Sequence, residues 1–220
     1  MSVAVTQLCL QFTALSDAKA TAARLARVLD LAPFSSVILS GADGSPLTAD
    51  AAHPMVEQVQ AKGIAALLHA DAALARTVRA DGVHVPWQPG LLTAFDEARD
   101  ILGKRFIVGA EAGHSRHDAM ELAETGADYV GFGLLGGAET GEAAAGHRLD
   151  LCAWWAEIFE IPAMALNVET AAEAAVLSAA QIDFLAFELT SSMSDADAEV
   201  KVVAMNAARA APRAASTLAM

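Results

Sequence analysis

The sequence predicts a single (β/α)8 TIM barrel of the α/β class, and three observations support this. The 220 residues are 55% hydrophobic, 19% charged and 5% aromatic, a composition that suits one packed domain rich in Ala, Leu and Val. An Asp followed by a short apolar strand recurs at Asp81, Asp128 and Asp183, about twice the ~25-residue spacing of one strand-plus-helix unit. Further apolar runs at half that interval complete a set of eight strands.

The eight apolar runs are predicted to be strands buried on both faces, because each is too short and too continuously apolar for an amphipathic helix. They are Leu8–Phe12, Ser36–Leu39, Ala65–His69, Gly82–Val85, Phe106–Ala110, Tyr129–Gly133, Ala163–Asn167 and Phe184–Phe187. Segments with helical spacing lie between them, for example Ala18–Leu29, His53–Lys62, Ser115–Glu124 and Leu149–Phe159. Candidate helix caps are Ser115, Asp150 and Thr170.

Strict alternation of strands and helices predicts a parallel sheet, and eight units close it into a barrel. The alternative is an open, doubly wound sheet, which would carry a Gly-rich phosphate turn after its first strand. Residues Phe12 to Asp17 contain no glycine, so the barrel is favoured. We expect the barrel to occupy residues 1–211 and the Ala-, Ser- and Thr-rich residues 212–220 to form a flexible tail.

The formal net charge of −13 excludes the usual nucleic-acid and anionic-membrane surfaces, which need clustered Lys and Arg. The chain has four lysines, so a phosphate would depend on backbone amides and a few arginines. Cys9 and Cys152 are expected to be core residues in a reducing compartment. The chain shows no signal peptide and no run of ~18 apolar residues, and we expect a cytoplasmic protein.

Candidate site residues follow from the fold, because the carboxyl ends of the strands and the loops after them form the site in such barrels. These positions hold Ser40, His69, Asp71, His84, Gln88, Glu111, His114, Gly133 and Asn167. The histidines and carboxylates among them are suited to acid–base chemistry or to metal binding, and the fold alone leaves both open.

Several chemistries are not supported by motifs. Lys104 precedes the fifth strand, at the opposite end of the barrel, which argues against a Schiff-base aldolase. The sequence has no G-x-S-x-G elbow, no P-loop and no HxH or HExxH pair that would fix a metal site.

Two segments resemble a known family. Asp81 to Val85 and Gly126 to Gly133 are similar to the "ADGVH(I/L)" and "GADYVG(L/V)G" segments of thiamine-phosphate synthases and the related thiazole tautomerases. Leu68 to Ala75 falls where that family carries "INDDVELA", and the resemblance extends over residues 35 to 191. It implies a TIM-barrel transferase of thiamine biosynthesis that binds phosphate and couples a hydroxymethylpyrimidine diphosphate to a thiazole phosphate with Mg2+.

The resemblance also assigns site residues, and several depart from the family pattern. Compared with that family, Asp71 stands next to the position of the metal-binding Asn-Asp pair, so the resemblance implies a metal contact there, and His114 lies one residue from the histidine that the tautomerases use. Glu111 and His84 join His114 as catalytic candidates because of their strand-end positions. The candidate substrate contacts are the strand-end residues Ser40, His69, Gln88, Gly133 and Asn167 and the aligned residues Thr140 and Ser191. The family's Gln-Leu-Arg-Glu-Lys segment corresponds to Ile38 to Ala42, and its second metal-binding Asp corresponds to Pro89. Its Thr-Lys lid corresponds to Thr140-Gly141-Glu142, which replaces a cation with an anion. Its Gly-Gly pair, which lets backbone amides approach a phosphate, corresponds to Asn167-Val168.

Three functions remain as hypotheses. The first is a thiamine-phosphate synthase with a divergent active site and a metal site rebuilt from His69, Asp71, His84 and Glu111. The second is a tautomerase-like isomerase in which His114 moves the proton, because tautomerisation does not need the missing cations. The third is an inactive barrel that binds a neutral or cationic ligand. The family resemblance favours an enzyme with a small-molecule substrate, and because related enzymes commonly form oligomers, a homo-oligomer stays open.

Overall fold

Eight parallel strands alternate with eight helices within the residues that the computed structural model describes, which are 5–42, 45–133 and 141–210. The strands are β1 (Gln7–Thr13), β2 (Phe34–Ser40), β3 (Ala65–His69), β4 (Gly82–Val85), β5 (Ile107–Glu111), β6 (Val130–Phe132), β7 (Ala163–Ala165) and β8 (Phe184–Leu189). The helices are α1 (Ala18–Leu31), α2 (Ala49–Gln60), α3 (Ala72–Thr77), α4 (Leu91–Leu102), α5 (Arg116–Thr125), α6 (Glu142–Ile158), α7 (Ala171–Ala179) and α8 (Asp195–Arg209). Each strand pairs with the next and β8 pairs with β1, so the sheet closes and the predicted fold class is confirmed.

The element bounds differ from prediction mainly at two helices, α2, which begins at Ala49 and not at the predicted His53, and α6. Strands β3 and β4 have the predicted bounds, and the others differ by one or two residues at one or both ends. Helix α6 begins at Glu142, seven residues before the predicted Leu149, because the intervening alanines are strong helix formers. Asp150 therefore lies inside α6, and its prediction as a cap was wrong. Ser115 and Thr170 do cap α5 and α7 through their side-chain oxygens.

The recurring aspartates have a common structural role at the amino-terminal end of the barrel. Each lies just before an even-numbered strand, and its carboxylate accepts a hydrogen bond from a backbone N–H near the start of the preceding strand. The pairs are Asp81 with Ala66 (2.8 Å), Asp128 with Val108 (2.8 Å) and Asp183 with Ala163 (2.9 Å). The aspartates thus link β3 to β4, β5 to β6 and β7 to β8, which explains why the sequence repeat spans two strand-plus-helix units.

The barrel interior is apolar up to a level near the carboxyl ends of the strands. The interior cluster consists of Cys9, Ile38, Leu67, Tyr129, Met164, Leu166 and Ala186. Side chains two positions apart on a strand point to the same face. The next inward positions on β1, β3 and β8 are Gln11, His69 and Glu188, so the interior changes from apolar to polar there. This polar layer forms the base of the site described below.

Other whole-chain predictions are only partly covered by the described residues. The barrel elements run from Gln7 to Arg209, and the predicted tail at 212–220 lies outside the described residues, so the domain bounds stay a prediction. Cys9 and Cys152 are both buried and carry free thiols, as expected for core residues. Among the described helices, none is long and apolar enough to cross a membrane.

Candidate active site at the carboxyl ends of the strands

A cavity of about 770 Å³ opens at the carboxyl ends of the strands, and we call it the mouth cavity. Its polar lining consists of Gln11, Thr13, Ser40, Ser45, His69, Asp71, His84, Glu111, Asn167, Glu188, Thr190 and Ser191. Within the described residues this lining includes three carboxylates and two imidazoles but no Lys or Arg. Its formal charge therefore favours neutral or cationic groups over anionic ones.

His84 and Tyr129 form a buried polar pair at the base of the mouth cavity. The Nδ1 atom of His84 lies 2.8 Å from the hydroxyl oxygen of Tyr129, and the two rings are nearly parallel. Burial lowers the pKa of His84 to about 3, and the neighbouring His69 acts in the same direction. Burial also raises the pKa of Tyr129 well above its ordinary value. Both side chains are therefore neutral at physiological pH.

The side chains of Glu111 and Asn167 both lie next to Gly133, which has no side chain of its own. A Cβ atom placed on Gly133 would lie 1.8 Å from Oε1 of Glu111 and 3.1 Å from Oδ1 of Asn167. Burial raises the pKa of Glu111, and a hydrogen bond from the backbone N–H of Trp87 partly opposes this shift. Glu111 is thus a carboxyl whose pKa moves toward the range useful for proton transfer at neutral pH.

A hydroxyl–carboxylate network lines the opposite wall of the cavity, on β1, β2 and β8. Thr13 Oγ1 donates a hydrogen bond to Oε1 of Glu188 at 3.2 Å, and it lies 3.1 Å from Oγ of Ser40. His69 lies beside this wall, with its ring centroid 6.1 Å from that of His84. Desolvation by the surrounding protein lowers the pKa of His69, and the Glu188 carboxylate opposes that shift.

A buried arginine holds the loop that carries Asn167. Arg148 is 2% exposed, and its Nη1 atom donates to the backbone oxygens of Leu166 and, at 3.0 Å, of Asn167. Its Nη2 atom forms an ion pair with Glu173. Asn167 has a φ of 55°, a left-handed conformation that is uncommon outside glycine. The hydrogen bonds from Arg148 hold the backbone of Asn167 in this left-handed conformation.

A smaller cavity of about 360 Å³ lies next to the mouth cavity, between the loops that follow β7 and β8. It is lined by Lys201 of α8 as well as by Asn167 and Glu188. The Nζ atom of Lys201 donates to the backbone oxygen of Glu188 at 3.1 Å. Burial lowers the pKa of Lys201, and nearby glutamates, Glu169 first among them, oppose the shift.

This arrangement is accompanied by a clear family match. The family model for thiamine monophosphate synthase matches residues 15–188. The chain belongs to this family. Family membership confirms the resemblance predicted from the strand motifs.

Relatives in the same family support the match at moderate identity. The thiamine-phosphate synthase of Rhodospirillum centenum is 35% identical over 171 residues, which cover 77% of this chain and 81% of that protein. The synthase of Hyphomonas neptunium is 36% identical over 67% of both chains. The synthase of Erythrobacter litoralis is 36% identical over 61% of this chain, and the aligned part spans 63% of that relative's length.

Solved structures support the same fold. A thiamine phosphate pyrophosphorylase from Pyrococcus furiosus superposes with a TM-score of 0.70 at 16% identity, covering 92% of this chain and 95% of the other. A Mycobacterium tuberculosis tryptophan synthase chain superposes with a TM-score of 0.69 at 13% identity, covering 93% of this chain and 92% of the other. At these identities the likeness extends to the barrel alone.

The structure brings most of the predicted site residues together. Those that line the mouth cavity are Ser40, His69, Asp71, His84, Glu111, Asn167 and Ser191. Gly133 lies directly beneath Glu111. His114 and Gln88 are exposed and are not part of the cavity lining, and His114 instead lies with its ring centroid 6.2 Å from that of His147. Thr140 lies outside the described residues.

Sequence reasoning missed part of the site. Gln11, Thr13, Glu188 and Thr190 line the mouth cavity, and Tyr129 forms its base with His84, yet none was a predicted site residue. The available signal was alternation: a polar residue at every second position near the end of an otherwise apolar strand. Gln11 and Thr13 on β1 have this spacing.

The described residues do not fit the magnesium site that the family resemblance implies. Asp71, the predicted metal ligand, caps α3 by accepting a hydrogen bond from the backbone N–H of Leu74 at 2.8 Å. In residues 5–42, 45–133 and 141–210, no three His, Cys, Asp or Glu side chains are close enough to hold a metal ion together. We therefore derive no step of the chemistry through Mg2+.

Proposed function

We propose that this chain is an enzyme, a transferase that couples a hydroxymethylpyrimidine diphosphate to a thiazole phosphate. The observation that carries the proposal is the family match over residues 15–188, a span that includes the ends of β2 to β7 around the mouth cavity. The relatives named thiamine-phosphate synthase support the reaction. The size of the cavity supports a small-molecule substrate, because sites for such ligands usually enclose several hundred Å³.

We assign roles to the described side chains as part of this proposal. Glu111 serves as the acid–base group, because its partly buried carboxyl has a raised pKa and lies in the cavity wall. His84 serves as a neutral hydrogen-bonding group at the base. We assign substrate contacts to Ser40, His69, Asn167 and Ser191, which line the mouth cavity, and to Gly133 beside them. The contacts at Gln88 and Thr140 stay predictions, because Gln88 is exposed outside the cavity lining and Thr140 lies outside the described residues.

The diphosphate is the demanding part of this substrate. Leaving-group charge is normally stabilised by cations and directed N–H groups, and loss of one such donor costs about 100- to 1000-fold in rate. The described lining supplies no Lys or Arg to replace them. We therefore expect slow turnover. We also propose that the enzyme acts in the cytoplasm as a homo-oligomer. The family resemblance implies Mg2+, which the described residues do not fit, so the assay compares activity with and without Mg2+.

A direct assay tests this function. The purified protein is incubated with both substrates, with and without Mg2+, and thiamine phosphate and pyrophosphate are quantified by chromatography. The Gly133→Ala variant should lose activity because the new methyl group displaces Glu111. The Gly146→Ala variant is the matched control, because a Cβ there meets no atom within 4 Å. No product from the wild-type protein, together with no rescue of a thiamine auxotroph, would contradict the proposal.

A second candidate function is a barrel that binds its ligand without catalysis, favoured by the absence of Lys and Arg from the described lining. It predicts a thermal shift with uncharged thiamine-pathway heterocycles and no product in the assay above. The isomerase alternative depends on His114, and the exposed position of His114 outside the cavity lining does not favour it. Measuring proton exchange on a thiazole carboxylate phosphate with His114→Ala tests that alternative: unchanged exchange removes it.

A further inference from the structure

The His84–Tyr129 pair has a geometry that constrains where the imidazole proton lies. Tyr129 is 5% exposed, and its ring fills the space next to Gly109, where a Cβ would lie 2.0 Å from the ring. The phenol is therefore fixed against β5. The one hydrogen-bond partner of its hydroxyl within the described part of the chain is Nδ1 of His84, at 2.8 Å.

A buried phenol hydroxyl in this position acts as the hydrogen-bond donor. A neutral Tyr hydroxyl has one hydrogen, and leaving it unpaired in a buried site costs more than the hydrogen bond itself returns. The available acceptor is Nδ1, so Nδ1 of His84 carries no proton. In a neutral imidazole the proton then resides on Nε2. Nε2 has no partner among the described residues, and His84 lines the mouth cavity.

We propose that Tyr129 fixes His84 as the Nε2–H tautomer, so that the base of the mouth cavity presents an uncharged N–H donor to the ligand. The complementary ligand group is an uncharged acceptor, such as the ring nitrogen of an aromatic heterocycle. This assignment of the ligand class rests on the proposed use of the cavity as the substrate site. The assignment of the tautomer does not.

The surroundings of His84 disfavour an anionic group at the same position. Glu111 lies two positions beyond Gly109, the residue that pairs with His84 in the sheet, so its carboxyl is on the adjacent wall. Glu188 lies across the cavity. A phosphate at the base would meet one neutral donor and two nearby carboxyl groups with no cation from the described lining. A carboxylate repels a phosphate in the same cavity, more strongly in a partly desolvated site than in water. The heterocycle, not the phosphate, is therefore expected to face His84.

Nitrogen-15 NMR of the imidazole rings tests the tautomer directly on the full chain. In the wild-type protein at neutral pH, His84 should show a protonated Nε2 and an unprotonated Nδ1, and His84→Gln identifies these signals by their loss. The Tyr129→Phe variant keeps the ring beside Gly109 but removes the donor, so it should shift the Nδ1 signal and weaken the tautomer preference. A proton found on Nδ1 in the wild type, or His84 signals unchanged in Tyr129→Phe, would overturn the assignment.

Ligand titrations test the ligand class with two probes, 4-aminopyrimidine and inorganic phosphate, at millimolar concentration. The pyrimidine should shift the His84 Nε2 signal, whereas phosphate should not. Tyr129→Phe should weaken pyrimidine binding about threefold to tenfold, the range expected for one neutral hydrogen bond. His53→Gln, at an exposed site on α2, should bind as the wild type does.

The outcomes separate this inference from the proposed reaction. If phosphate shifts the Nε2 signal as much as the pyrimidine, or if neither probe shifts it, the ligand class is wrong. If the protein makes no thiamine phosphate but the pyrimidine shifts Nε2, the proposed reaction fails while the inference stands. Within the double variant His84→Gln/Tyr129→Phe, loss of the phenol should cause no further weakening of pyrimidine binding, because a glutamine amide has no tautomer to fix.

Discussion

The buried His84 should make the stability of this barrel depend on pH, and His84→Gln should remove that dependence. Burial lowers the pKa of His84 from 6.5 to about 3 in the folded state. As the pH falls below 6.5 the unfolded chain takes up a proton at this position, whereas the folded chain does not until the pH approaches 3. The folded state therefore loses free energy relative to the unfolded state by about 1.4 kcal/mol per pH unit in this window.

The size of the effect can be measured as a difference between variants. Between about pH 6.5 and pH 4.5 the unfolding free energy of the wild type should fall by about 2–3 kcal/mol more than that of His84→Gln. This difference does not depend on how much the substitution itself lowers the unfolding free energy at neutral pH. Urea unfolding followed by circular dichroism at both pH values gives the four free energies. His53→Gln, at an exposed site near Glu57, is the control and should lose as much as the wild type. Equal losses in wild type and His84→Gln would refute a neutral buried imidazole.

Substitutions at three further positions test separate parts of the structure by urea unfolding and by activity. Arg148→Met removes a buried cation, leaves the partly buried Glu173 carboxylate without its partner and frees the backbone oxygens of Leu166 and Asn167, so it should cost about 3–5 kcal/mol of unfolding free energy, measured against wild type. Asp71→Ala should cost about 1 kcal/mol of unfolding free energy by removing the cap of α3, whereas Asp71→Ser should keep the cap. Because Asp71 belongs to no metal-holding group among the described residues, neither variant should change the Mg2+ dependence of activity, and a change common to both would contradict this. Gly146→Ala should raise the unfolding free energy by up to about 1 kcal/mol because Gly146 lies inside α6 and is exposed, and a decrease would contradict the α6 assignment.

The sequence predicted the barrel well because the signals for it are local and repeated. Each strand is a short apolar run, and Asp81, Asp128 and Asp183 mark every second unit by bonding to the backbone of the preceding strand. The start of α6 was placed too late because Gly141 and Gly146 resemble loop residues, whereas the alanines between them favour helix.

The site was harder to predict than the fold because a strand end does not reveal which side chains enter the barrel. His69, His84 and Glu111 were found because they are chemically distinctive and lie on inward positions near strand ends. His114 lies three residues beyond the end of β5, and it turns out to be exposed beside His147 and outside the cavity lining. Inward orientation depends on the register of neighbouring strands, which is a property of the closed sheet.

Two glycines show how the polar base of the site is accommodated in a barrel that is otherwise filled with side chains. Gly109 leaves the space that the Tyr129 ring occupies, and this brings the phenol to His84. Gly133 leaves the space that the carboxyl of Glu111 occupies, with the amide of Asn167 close by. Since a methyl group at either position would overlap these side chains, the two glycines act by the volume they leave empty. The polar residues of such a site are therefore not enough to locate it in a sequence. Its geometry also depends on glycines, which have no functional group to mark them.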